Sequence, residues 1–169
     1  MLAVAQDVAG ESRVAPVIRE RAVSFPVLVD RSSALGRALG FRIVPSGAFF
    51  GSNGDVLYRH VDDFDIGDPR VRMNLDAFLD GRQVESPDTS ERMNPAALEL
   101  FARGVALYSE GAKESAVSLW RRALEIDPDN FVIRSQIWVV EHPEHFYPVV
   151  DRDWQAVQLL KEGYDKPLP

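Results

Sequence analysis

Apolar residues fall in two different rhythms on either side of one polar stretch. Toward the N-terminus, short apolar runs (LAVAQ at 2–6, FPVLV at 25–29, FRIV at 41–44, GAFF at 47–50, VLYRHV at 56–61) alternate with stretches of helical period. In residues 11–21, Val14, Val17 and Ile18 recur at helical spacing. Residues 32–39 offer a serine cap, then Leu35, Ala38 and Leu39 on one side, and stop at Gly40. Asp68 with Pro69 behind it starts another helix, whose stripe is Val71, Leu75, Phe78 and Leu79, up to Gly81. Asn53-Gly54 between two apolar runs is a strong hairpin signal, because a type I′ turn needs positive φ at both central residues. The predicted order is strand, helix, strand, helix, hairpin (47–61), helix.

Residues 83–94 (QVESPDTSERMN) have neither hydrophobic period and read as a linker. Everything after them has helical period. Asn94-Pro95 opens a helix with Leu98, Phe101, Val105 and Tyr108, ended by Gly111. A second, from Glu114, carries Ala116, Leu119, Trp120, Ala123 and Leu124 and stops at Asp127-Pro128. A third apolar segment, 131–140, stacks on that pair. Pro143 and Pro148 bound an irregular stretch before a short helix near 154–160.

Composition narrows the function classes. The 169 residues are 46% hydrophobic and 27% charged, the balance of a chain that buries a core. No apolar run approaches the roughly 20 residues of a membrane span. Met1 to Gln6 lacks a basic flank and meets Asp7 too soon for a secretory h-region, so a cytoplasmic location is expected. A net charge of -7 makes nucleic acid a poor partner, and most of the acidity lies after residue 82. There is no cysteine, which excludes disulfides, thiolate metal sites and a thiol nucleophile within these residues.

The second part resembles a tetratricopeptide repeat. Gly104, Leu107, Gly111, Ala116, Trp120, Ala123 and Pro128 stand where that 34-residue unit keeps its small and large packing residues. One full repeat fits, and such units need about three to stand alone, so this one is expected to lean on something, docking through Leu119, Trp120 and the 131 segment.

The first part resembles the later two-thirds of a thioredoxin-like domain of the alkyl hydroperoxide reductase and thiol-specific antioxidant (redoxin) superfamily, including its thiol-disulfide reductase branch. LAVAQD at 2–7, FPVLVD at 25–30, ALGRALGF at 34–41, IVPSG at 43–47 and the hairpin around Asn53-Gly54 carry the likeness. The resemblance implies a cis-proline at Val44-Pro45. It also implies that the family's cysteine-bearing strand and helix precede the strand at 2–6, and that this strand runs between 2–6 and 47–50, in the middle of the sheet. The expected fold is therefore α/β thioredoxin-like, incomplete (1–82), with its central first strand and helix absent, then the linker (83–94) and an all-α repeat-like region (95–169). Strand edges without partners lead to one of two outcomes: the 2–6 and 47–50 strands pair directly, or self-association supplies a strand.

Other chemical signals have plainer explanations. Asp62, Asp63, Asp65 and Asp68 depart from calcium-loop spacing and read as a solvated loop that caps the next helix. His142 and His145 have Pro143 between them and no evident third ligand. Ser46 lacks a nucleophile elbow, and His60 reads as a strand-end packing residue. Phe101, Tyr108, Trp120, Phe131 and Trp138 fall at helical core positions. No catalytic residue, metal or cofactor is expected. The functional expectation is a non-catalytic redoxin-like module with a repeat-like appendage, acting through a protein partner or self-association. A second expectation is the C-terminal part of a thiol-disulfide oxidoreductase or peroxidase whose cysteine motif lies upstream, and a third is a metal-dependent enzyme built on the acidic loop.

Overall fold

The apolar runs of the first part become strands that pair two by two. The structure, a computed structural model, describes residues 1–61, 64–85 and 94–164. β1 (Ala3–Ala5) runs parallel to β2 (Val27–Val29), with Ala3 opposite Val27 and Ala5 opposite Val29, and α1 (Glu11–Glu20) makes the crossover. After α2 (Ala34–Leu39), β3 (Gly47–Phe50) and β4 (Val56–His60) form an antiparallel ladder with Phe49 opposite Tyr58. Then comes α3 (Pro69–Leu79).

The two ladders are separate two-stranded sheets, and among the described residues no strand joins β1 to β3. Direct pairing of those strands is thus not the solution this chain adopts. A helix of the second part, α6 (Phe131–Glu141), spans them instead. Gln136 Oε1 accepts from the Val8 N–H at 2.9 Å, and its Nε2 donates to the Gln6 carbonyl, just past β1. On the same helix the Val132 N–H donates to the Arg42 carbonyl, just ahead of β3, at 2.9 Å. Side-chain and helix N-terminal donors thereby satisfy polar groups on both sides of the gap.

Three local expectations need correction. The hairpin is not closed by a type I′ turn: Gly54 has φ 86°, but Asn53 is not at positive φ. Gly51 and Asp55 bracket a turn followed by a left-handed glycine, with Asn53 Oδ1 accepting from the Asp55 N–H, a loop that lets the first central residues stay right-handed. α2 is not capped by serine, because Ser33 is itself left-handed (φ 53°). The Asp30 carboxylate, at the end of β2, accepts from the Ala34 and Leu35 N–H groups, both at 2.8 Å. In α3, Leu79 is 70% exposed; the covered stripe is Val71, Asn74 and Ala77, with Phe78 stacked on Phe49. Asn74 Oδ1 also accepts from the Glu85 N–H, which ties the start of the 83–94 segment to α3. Residues 86–93 lie outside the described residues.

The second part is built around α4 (Pro95–Ser109) and α5 (Lys113–Ile126), with α6 stacked on α5 and α7 (Arg152–Lys161) closing the chain. Phe101, Ala116, Trp120 and Ala123 are fully buried, and each large side chain so covered contributes about 1.5–3 kcal/mol. Gly104 lets the two helices approach: a Cβ there would lie 2.6 Å from Trp120 Cδ1 and 3.1 Å from the Ala116 carbonyl. Trp120 Nε1 donates to the Phe101 carbonyl at 3.1 Å. Leu107 packs at the edge of this core, and Gly111 (φ 88°) ends the first helix in the left-handed region. Pro128 follows α5, and its carbonyl accepts from Arg134. Trp120 fills the interior of the helical pair, in one buried cluster with Ile133 and Ile137 of α6 and Val8 of the first part. The pair leans on the first part through α6 and through Val8, which enters its core cluster. Among the described residues no helix is long and apolar enough to cross a membrane.

Candidate functional site

A cavity of about 500 Å³ opens where the two parts meet. Its walls come from the end of β1 (Ala5 to Asp7), one face of α1, the Ile43-Val44 segment leading to β3, α6, and the chain from Phe146 to Gln155. Val14, Val17, Ile43, Val139 and Phe146 supply apolar surface. A second core cluster fixes the far wall. Arg134 lies among the rings of Phe131, Trp138 and Tyr164, with its guanidinium 5.0 Å from the centre of Tyr164. Arg134 donates to Glu162, whose other oxygen accepts from Trp138 Nε1 at 2.7 Å, so α7 is held against α6.

The electrostatics of the cavity run opposite to those of the chain. Arg13, Arg21 and Arg152 line it, and no acidic side chain of the described residues lies within ion-pair distance of any of them. Asp7 is the one acid in the lining, and both its oxygens are engaged: Oδ1 accepts from the Ala9 N–H at 2.8 Å, and Oδ2 accepts from the Tyr147 hydroxyl. Burial and the Asp7 carboxylate together push the Tyr147 phenol above its ordinary range. Arg13 lies 4.9 Å over the Tyr147 ring. One further polar group stands out. Gln155 is only 6% exposed and lines the cavity, yet its carboxamide has no hydrogen-bond partner among the described residues.

Of the residues singled out by sequence, Val44 and Pro45 come closest to this site. The Val44–Pro45 peptide bond is cis, as is Tyr147–Pro148. Val44 lines the cavity, the Pro45 carbonyl accepts from the Phe64 N–H at 3.1 Å, and Ser46 Oγ donates to the Ile43 carbonyl at 2.7 Å. The repeat-like residues Gly104 to Pro128 are remote from the lining and serve packing. His60 accepts or donates to the Tyr58 hydroxyl at 3.1 Å. His145 lies flat on Trp154, 4.4 Å between centres, with Nδ1 3.1 Å from Asp151 Oδ2, while His142 is 3.5 Å from Glu144. Asp65 accepts from the Gly67 N–H, and Asp68 caps α3. Asp62 and Asp63 lie outside the described residues, and among those described no three His, Asp or Glu side chains gather as a metal ion would require.

Sequence reasoning missed Arg13, Arg21, Tyr147, Arg152 and Gln155. One signal was available: Arg13, Val17 and Arg21 recur at every fourth position and so share one stripe of α1. The rest are brought together only by tertiary structure. Comparison with family models, with curated proteins and with solved structures finds no match for this chain.

Proposed function

We propose that the chain is a non-catalytic redoxin-like module with a tetratricopeptide-like helical appendage, and that it acts through protein–protein contacts. The observation that supports this is the divided sheet. β1 is paired only with β2 and β3 only with β4, so each ladder keeps an edge without a strand partner among the described residues. Such an edge offers a row of main-chain donors and acceptors to an incoming strand. The first part also leaves apolar side chains exposed, among them Leu28, Val44, Phe50, Leu57 and Leu79. With no thiol in these residues, redoxin chemistry has no nucleophile here.

Sedimentation at several concentrations, combined with amide exchange on β1 and β3, tests the reading. Self-association with protection of Ala3–Ala5 and Gly47–Phe50 that grows with concentration is the expected result. A dilute monomer with both strands unprotected and a cooperative melt overturns it.

The same open edges favour a second reading, that the chain is the C-terminal part of a thiol-disulfide oxidoreductase or peroxidase whose cysteine motif lies upstream. In that reading the missing strand is covalently supplied. An in-frame segment ahead of Met1 that ends in a cysteine motif, and that confers insulin reduction with dithiothreitol on the longer chain, separates it from the first. The 169 residues alone are expected to be inert in that assay.

A further inference from the structure

The cavity between the two parts has properties that the protein-contact reading does not use. It is largely apolar in its walls, it is of the size that holds a small organic ligand, and its charged groups are unbalanced. Three arginines face one aspartate, in a chain whose net charge is -7. That aspartate accepts from the Tyr147 hydroxyl and the Ala9 N–H, and its single negative charge offsets at most one of the three arginines. Arg21 and Arg152 have no side-chain partner among the described residues, and Arg13 has only the Tyr147 ring. Gln155, 94% covered as a residue and on the cavity wall, has no protein partner for its carboxamide among the described residues, which leaves that amide available to a ligand in the cavity.

We propose that this cavity binds a small amphipathic organic acid, its apolar body against Val14, Val17 and Val139 and its carboxylate among Arg13, Arg21 and Arg152, with Gln155 donating to it. Arginine suits the task because its planar fork meets a carboxylate in two parallel hydrogen bonds. An apolar amine would meet three cations, and a neutral alcohol would leave the arginines unanswered. Discrimination among equal-length chains by head group is therefore the signature of the site. The proposal concerns the cavity between the two parts and stands independently of the sheet edges.

The test is a titration of the whole chain with decanoate, decan-1-ol and decyltrimethylammonium, all below their aggregation limits, followed by calorimetry and backbone amide shifts. Decanoate is expected to bind at one site, about tenfold or more tighter than the alcohol, with the cation weakest. The shifts are expected at residues 13–17, 43–44, 135–139 and 155. Arg21→Gln combined with Arg152→Gln, both exposed and so without cost to the fold, is expected to weaken decanoate severalfold, narrowing its lead over the alcohol, while leaving the alcohol unchanged. Gln155→Leu is expected to weaken decanoate alone, by severalfold. Val17→Trp, which fills the cavity, is expected to abolish binding of both, its fold being checked by the unchanged exchange protection of the amides of β1, β2, β3 and β4. Equal affinity for the three head groups, shifts confined to other surfaces, or no saturable binding of decanoate overturns the proposal.

Discussion

Tyr147 donates its hydroxyl to the carboxylate of Asp7, 140 residues earlier in the chain. The bond joins the end of the segment after β1 to the stretch before α7, and it depends on the phenol keeping its proton. The folded phenol titrates above its ordinary range, so its contribution is fully present below the ordinary phenol pKa of about 10 and is lost as pH rises through the higher folded value. Tyr147→Phe is expected to cost about 1.5 kcal/mol at neutral pH and to flatten the fall in stability above pH 10, as measured by urea unfolding from pH 7 to 11.

Gln136 is another tie between the parts, with its two amide atoms on the Val8 N–H and the Gln6 carbonyl. Gln136→Leu keeps the volume and strands both backbone groups. A loss of about 2 kcal/mol is expected, with the Val8 amide changing from slow to fast exchange while the α4 and α5 amides stay protected. Unchanged protection at Val8 would show that α6 is not what bridges the gap.

Gly104→Ala sets two effects against each other. Alanine is the better helix former by about 1 kcal/mol. Its Cβ, however, would stand 2.6 Å from Trp120 Cδ1, and Trp120 is fully buried and hydrogen-bonded to the Phe101 carbonyl, so it has nowhere to move. Overpacking wins, and a net loss of about 1–2 kcal/mol is expected in thermal unfolding. A stabilised variant would mean the indole can shift.

Asp151 caps α7, and the Trp154 N–H, followed by His145, holds its carboxyl below the usual carboxylate range. The cap is therefore present above the ordinary aspartate pKa and lost as pH falls through the lower folded value. Below about pH 4 the amides of α7 are expected to lose exchange protection before those of α5. Asp151→Asn, which can still accept from Trp154 but carries no charge, is expected to remove that acid sensitivity.

The helices of the second part were legible because their signals are local: Asn94-Pro95 at the start of the first, a stop at Gly111, and apolar residues three and four apart. The strands were legible in position but not in arrangement. Pattern places an apolar run; it does not say that a glutamine on a mostly apolar helix 130 residues away will meet the carbonyl after it. The caps show the same limit on a smaller scale. Ser32 and Ser33 stand nearer the helix in sequence, but Asp30, an equally good capping type, is already held at the end of β2 with its carboxylate over the N-terminus of α2. The cavity was the least legible feature, since its arginines come from α1 and the start of α7 and share no motif.

Val8 is the one residue of 1–82 in the core cluster of the helical pair, and Ile43 packs only at the margin of the second cluster. Cooperativity in unfolding comes from shared core, because a unit that loses its contacts must drag its neighbour's contacts with it. The remaining ties, at Gln136, Tyr147, Arg13 and Arg42, are polar or cation–π contacts and add little shared core. Heat or denaturant is therefore expected to dismantle this chain in stages, the strands and α3 before the α4–α5 pair, seen as amide signals of β1–β4 and of α4–α5 that melt at different temperatures.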